Sequence, residues 1–180
     1  MQLSDEEIVA QIKSGEDSNQ AFRALIEKYQ EKLYWHIRRM IIDHDDTDDV
    51  LQNVFVKTWK GLGNFREDSK LYTWLYRIAT NESITFINKK KKENNIPIND
   101  ESYQLHAGQA DYLMDCDEIQ EKLEKALLTL PEKQRAVFHM KYYEDMKYTQ
   151  ISEVVGTSIG ALKASYHIAV KKIETYLIEN

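Results

Sequence analysis

The chain has 180 residues, 42% hydrophobic and 30% charged, a balance that excludes a disordered protein and supports one domain or two small ones with modest cores. Its single cysteine, Cys116, excludes an internal disulfide, and no apolar run is long enough to span a bilayer. The net charge of −6 argues at first against nucleic acid, but residues 93–118 hold seven Asp/Glu and no Lys/Arg, so the whole acidic excess lies there and the flanks can still carry basic patches.

With only two prolines and six glycines, the sequence favours helices throughout. The first predicted helix lies near 4–14, acidic and amphipathic rather than signal-peptide-like. The second lies near 17–41, with Asp17 or Ser18 as its cap. The third, near 47–62, begins within the stretch DHDDTDDVLQNVFVKTW, in which five aspartates fall between positions 43 and 49. As a calcium loop the stretch fails, because no starting aspartate gives acidic ligands at the first, third and fifth places followed by the turn glycine and a twelfth-place Glu. As a helix start it works: Asp46 or Thr47 caps, and Asp48 and Asp49 stand where the helix dipole favours negative charge. Capping needs one or two acids, so the rest read as a partner-facing edge leading into Gln52, Phe55 and Trp59. The fourth helix, near 69–92, is capped by Ser69 and turns Leu71, Trp74, Leu75 and Ile78 to the core. Tyr72, Thr73, Tyr76, Arg77 and Asn81 then form an outer face too aromatic and cationic for solubility alone. The lysines 89–92 that end it suit either the helix C-terminus or the phosphates of a nucleic acid.

The acidic segment 93–118 has no sustained period and reads as a linker. Beyond it, helices are predicted near 116–129, 131–144, 148–155 and 159–178. The fold class is therefore all-α, in two small helical domains. The segment YTQISEVVGTSIGALKASYHIAVKK carries the most information. A short helix ends at Gly156, which permits a sharp turn, and Ser158 caps the next helix. In that helix Leu162, Tyr166, Ala169 and Ile173 share an inward face. Gly160, Lys163, Ala164, His167 and Lys171 share an outward face, small at its start and cationic along its length, as a groove-reading helix requires. A solvated helical hairpin would need only the helices; turn, cap and two opposed stripes together favour a helix-turn-helix. The histidines show no metal-ligand spacing, and there is no phosphate-binding or zinc-protease motif, so neither metal nor cofactor is expected and a hydrolase built on the aspartates is disfavoured.

LPEKQRAVFHMKYYEDMKYTQISEVVGTSIGALKASYHIAVKKI resembles region 4 of bacterial sigma factors, in particular the extracytoplasmic-function (ECF) class. In the first half, AFRALIEKYQEKLYWHIRRMI resembles region 2.1, DDTDDVLQNVFVKTW region 2.2, and NFREDSKLYTWLYRIATNESI regions 2.3 and 2.4. The resemblance implies a region 2 domain over 1–92, an acidic linker over 93–118 and a region 4 helix-turn-helix over 119–180. It implies binding of core RNA polymerase through Asp46, Asp48, Asp49, Gln52, Phe55 and Trp59. It implies recognition and melting of the minus-ten promoter element by Asn64, Phe65, Ser69, Lys70, Thr73, Arg77 and Asn81, with a base extruded into a loop pocket. It implies minus-thirty-five recognition by Ser158, Gly160, Lys163, Ala164, His167 and Lys171. Ser165, Ile168 and Val170 stand where many members carry arginine. The expected partners are core polymerase, promoter DNA and an anti-sigma factor, in the cytoplasm, with no membrane insertion and no chemistry of the protein's own. The alternative is a stand-alone helix-turn-helix regulator.

Overall fold

The computed structural model describes residues 3–94 and 118–179. Eight helices occur among them: α1 Asp5–Ser14, α2 Ser18–Ile41, α3 His44–Leu62, α4 Leu71–Glu93, α5 Glu118–Leu128, α6 Glu132–Tyr142, α7 Tyr148–Val155 and α8 Ile159–Glu179. The expectation of an all-α chain holds. The acidic segment lies outside the described residues, apart from its ends.

Local chemistry sets the boundaries. Ser4 and Glu7 form a reciprocal capping box at the start of α1, and Gly15, at φ +80°, ends it in the left-handed conformation. Three helix starts differ from the sequence reading. Asp17 is the N-cap residue of α2, but its backbone is left-handed and its side chain makes no capping bond. The cap of α3 is Asp43, whose Oδ1 accepts from Asp46 N at 2.9 Å. Asp46 and Thr47 therefore lie within the helix, and Asp45 and Asp46 occupy its first turn. The earliest aspartate in the run captures the free N–H groups, which lengthens the helix by one turn. For α4 the N-cap is Lys70, not Ser69, without a side-chain bond.

Helices α1 to α4 pack into one lobe and α5 to α8 into a second. The first is filled by Leu25, Leu33, Ile37, Val50, Val54, Leu62, Leu71 and Leu75, all buried. The second has its own cluster of Ala126, Leu127, Leu130, Phe138, Ala169 and Ile173, with Tyr166 stacked on Phe138 at 5.6 Å. The lobes do not stand apart. Ala136, Val137 and Met140 of α6, Ile151 and Val154 of α7 and Leu162 of α8 continue the apolar cluster of α1–α4. α7 lies against α4, and α6 against α2. Each such side chain, fully buried, contributes about 1.5–3 kcal/mol, so the seam between the lobes is a substantial part of the core.

Candidate nucleic-acid interface

The helix-turn-helix forms as its sequence demands. Gly156 takes φ 71° and ψ 33°, and its N–H donates to Ser152 O, closing α7. Ser158 Oγ accepts from Ala161 N at 3.3 Å at the start of α8. Leu162, Ala169 and Ile173 are buried and Tyr166 is half-buried. Gly160, Lys163, Ala164, His167 and Lys171 are all exposed, as is Ser158. No side chain packs within 4 Å of the Cβ position of Gly160, so the first turn offers a clear approach. Lys163 lies 5.9 Å from the Tyr148 ring centre, which orients this cation at the turn. The outward stripe can reach phosphates and guanine acceptors in a groove.

The acidic edge of α3 also faces solvent. Asp48, Asp49 and Gln52 are exposed, and Trp59 is 42% exposed. Phe55 is half-buried, with Phe22 edge-on to it at 6.5 Å and to Trp59 at 4.8 Å. Val56 is exposed beside them. Val50 and Val54 supply the buried face. Asp46 differs from its neighbours: its carboxylate pairs with Lys90 of α4 and is only partly exposed. Asp48 stands 3.7 Å from His44, one turn back. A ridge of carboxylates running into an exposed indole suits a partner with basic and apolar groups in sequence.

The seven residues proposed from sequence for the minus-ten element divide into three groups. Asn64, Lys70 and Asn81 are exposed and Ser69 is half-buried. Ser69 and Lys70 open onto a cleft of about 680 Å³ bounded by the loop, the start of α1 and the start of α7. Phe65 is buried instead, its ring 5.1 Å from that of Trp74. It anchors the loop in this arrangement. Thr73 is 0% exposed and Tyr76 1%. The expected outer face of α4 is therefore largely covered, because the second lobe lies on it. Tyr76 donates its phenolic proton to Glu144 Oε2 at 2.8 Å. Arg77 donates from Nε to Glu153 O, in α7, at 2.8 Å. The surplus of aromatic and cationic side chains on α4 found a partner within the chain.

The polar residues of this seam are what sequence reasoning missed. Glu144 accepts from both Tyr76 and Arg39, the latter at 3.2 Å. Arg39 also lies 4.3 Å over the Tyr143 ring. Arg135 is buried and donates to Met40 O at 3.0 Å. Lys91 lies in the last turn of α4, as expected of a cation at a helix C-terminus, but is only 2% exposed and pairs with Glu132 of α6, so at this position the run joins the two lobes. His139 is buried beside Arg135, His36 and Arg39. Burial first, then these cations, hold its pKa well below the usual value, against a smaller opposing contribution from the Arg39 backbone. Burial likewise lowers His36 to about 3 and Arg135 to about 10, and raises Tyr72 and Tyr76, assisted by Glu144. The available signal is that Arg135 and His139, four residues apart, share an otherwise apolar stretch, RAVFHM. Among the described residues no cluster of three His, Cys, Asp or Glu side chains is placed to hold a metal, and no helix is long and apolar enough to cross a membrane.

Comparison with known proteins fits this geometry. The Sigma-70 region 2 family matches residues 25–93, and the Sigma-70 region 4 family matches residues 120–173. The RNA polymerase sigma-H factor of Pseudomonas aeruginosa is 29% identical, over 98% of this chain and 95% of its own. The ECF RNA polymerase sigma factor SigW of Bacillus subtilis is 27% identical, over 93% of each chain. The ECF RNA polymerase sigma-E factor of Escherichia coli K12 is 27% identical, over 96% and 94%. Among solved structures, CnrH in complex with the cytosolic domain of CnrY superposes with a TM-score of 0.72 at 22% identity, over 98% of both chains. The sigma factor RpoE of Bartonella quintana, in complex with the anti-sigma factor NepR, gives 0.68 at 22%, over 87% of this chain and 96% of that one. With both regions matched in order, and ECF relatives covered nearly end to end, the chain belongs to the sigma-70 family and is a sigma factor of the ECF class.

Proposed function

We propose that the chain binds core RNA polymerase through the α3 ridge, reads the minus-thirty-five element with α8 and opens the minus-ten element with the 64–70 loop and α4. Promoter-directed transcription initiation is the function of its family, and sigma factors act as initiation factors rather than enzymes. The observation that carries the residue-level reading is the pairing of two exposed surfaces: the cationic stripe Lys163, His167 and Lys171 on α8, and the acid-to-aromatic ridge from Asp48 to Trp59 on α3. A stand-alone operator-binding regulator has use for the first surface only.

In this reading the domains divide as 1–92 and 119–180, with the acidic linker suited to a basic nucleic-acid channel. Asn64, Ser69, Lys70 and Asn81 contact the melted strand directly. Arg77 joins them once released from Glu153. Phe65 and Thr73 hold the loop and the start of α4 in shape. A flipped base recovers its unstacking energy from such a lined pocket. The protein works in the cytoplasm, where polymerase is. An anti-sigma factor is a further partner, consistent with the solved relatives captured with such proteins.

The test is association with core polymerase. Asp48→Lys together with Asp49→Lys reverses two exposed charges on the ridge and spares the core. Pull-down of core enzyme drops by at least about tenfold, the effect of losing roughly 1.4 kcal/mol, while circular dichroism stays unchanged. Undiminished pull-down removes α3 as the docking surface. Tight, polymerase-independent binding of the wild-type chain to a promoter duplex favours the stand-alone regulator.

A further inference from the structure

The cleft of about 680 Å³ beside the 64–70 loop is strongly acidic. Five carboxylates line it, those of Asp5, Glu6, Glu67, Asp68 and Glu153, against two lysines, Lys70 and Lys147. Asp5 is engaged by Lys28 and Glu67 by Lys13. Glu6, Asp68 and Glu153 are exposed and enter no ion pair among the described residues. Val9, Phe65 and Leu71 also line the cleft, each less than a tenth exposed, and form an apolar floor. Thr73 completes that floor at 0% exposure, and its Oγ1 has no hydrogen-bond partner. We propose that the cleft is a binding site for a small aliphatic polyamine. Its methylenes lie on the apolar floor, its ammonium groups meet Glu6, Asp68 and Glu153, and one N–H donates to Thr73 Oγ1.

The unpartnered hydroxyl separates this cleft from a merely acidic surface. A buried hydroxyl without a hydrogen bond is destabilising, and native structures seldom leave one so; a donor seated on the floor supplies the missing bond. The carboxylates select the ligand's charge. Three unpaired acids face two lysines, and both lysines are exposed, on long stems that swing aside into water. The spread of the acids selects the ligand's shape. Glu6 belongs to the first turn of α1, Asp68 to the loop and Glu153 to α7. Among the described residues no three acidic or imidazole side chains converge on a point where a metal ion could sit. Negative charges held apart over an apolar strip match a chain whose positive charges are likewise separated by methylenes, rather than a point cation. The volume lies within the range of small-ligand sites, roughly 300–1,000 Å³. The three acids lie outside the set assigned above to the minus-ten element. Binding is measured without DNA or polymerase, so failure of the site leaves that assignment standing.

The experiment titrates the full-length chain with spermidine by isothermal calorimetry, at low salt and pH 7.5. Wild type binds one spermidine saturably. Thr73→Val exchanges the unpartnered hydroxyl for a methyl of the same shape. It weakens binding about tenfold, the effect of one hydrogen bond to a charged group, while thermal unfolding of the free chain is unchanged or slightly raised. Asp68→Asn with Glu153→Gln also weakens binding about tenfold, about threefold for each exposed carboxylate. Glu16→Gln with Asp17→Asn, two exposed acids outside the cleft, leaves it unchanged. Absence of saturable binding overturns the site. Equal weakening by the Glu16 and Asp17 pair overturns it as well, as does magnesium chloride binding as tightly as spermidine, because either reduces the effect to a general attraction of cations. Unchanged affinity in Thr73→Val overturns the contact on which the assignment rests. If that variant loses stability, the Asp68 and Glu153 pair, which is on the surface, decides: unchanged affinity there overturns the site, and a loss absent from the Glu16 and Asp17 pair upholds it.

Discussion

Acidification should weaken this fold through two histidines, and the size of the effect follows from where they lie. His36 of α2 and His139 of α6 are both buried, His139 within electrostatic reach of His36, Arg39 and Arg135. His36 Nε2 is also 2.9 Å from Thr80 Oγ1. Both pKa values are depressed in the folded chain, by burial first and neighbouring cations second. In the unfolded chain each returns to about 6.5. The sign is then fixed. Above about pH 6.5 neither state binds the proton, and these groups contribute no pH dependence. Below it the unfolded chain takes protons that the folded chain refuses, so stability falls, for His36 until the pH approaches about 3. At pH 5.5 a histidine that stays neutral in the fold costs on the order of 1 kcal/mol. Burial raises the Glu124 carboxyl, and that group acts in the opposite direction: its contribution is present at low pH and lost as pH rises. Comparison with His139→Gln cancels it. Urea denaturation at pH 7.5, 6.5 and 5.5 measures the difference. All three tryptophans, Trp35, Trp59 and Trp74, lie in the first lobe, so fluorescence follows that lobe while circular dichroism follows the whole. Wild type loses more stability than His139→Gln between pH 7.5 and 5.5, by on the order of 1 kcal/mol. Equal losses in the two proteins refute the argument.

Two other outcomes can be checked in the second lobe. Lys163→Ala with Lys171→Ala, on the exposed stripe of α8, should reduce the slope of log affinity against log salt by about 1.8 for a promoter duplex bound by holoenzyme; an unchanged slope means neither lysine meets a phosphate. Gly156→Ala should cost about 1–2 kcal/mol in thermal or urea unfolding, because φ is 71° and the space around a new Cβ is empty, leaving backbone strain as the only source of loss.

The helix-turn-helix was almost fully legible in the sequence because its determinants are local. Gly156, Ser158 and the opposed stripes of α8 act within one or two turns of themselves. The all-α class was legible for the same reason, from periodicity and the scarcity of proline and glycine. Helix starts were less so: five aspartates competed for the α3 cap, and Asp43 prevailed over Asp46 and Thr47 by coming first. The seam was not legible. Amphipathic periodicity marks a face as partner-seeking but does not name the partner, and Tyr76 and Arg77 looked outward until α7 was placed over them. Lys91 shows the same limit. A lysine in a run of four reads as solvated, and only the position of Glu132, 41 residues away, explains its burial.

The first helix has a consequence of its own. The region 2 family match begins at residue 25, yet α1 grips the lobe at both ends. Asp5 holds Lys28 and Tyr29, and Lys13 holds Glu67 in the loop that precedes α4. Glu67 itself sits at φ 60°, a strained conformation for a residue with a side chain. The loop that precedes α4 is thus tethered from outside the matched region, by a helix whose start carries the Ser4 capping box. Proteolytic trimming of the first fourteen residues would leave the region intact by name and its loop unmoored.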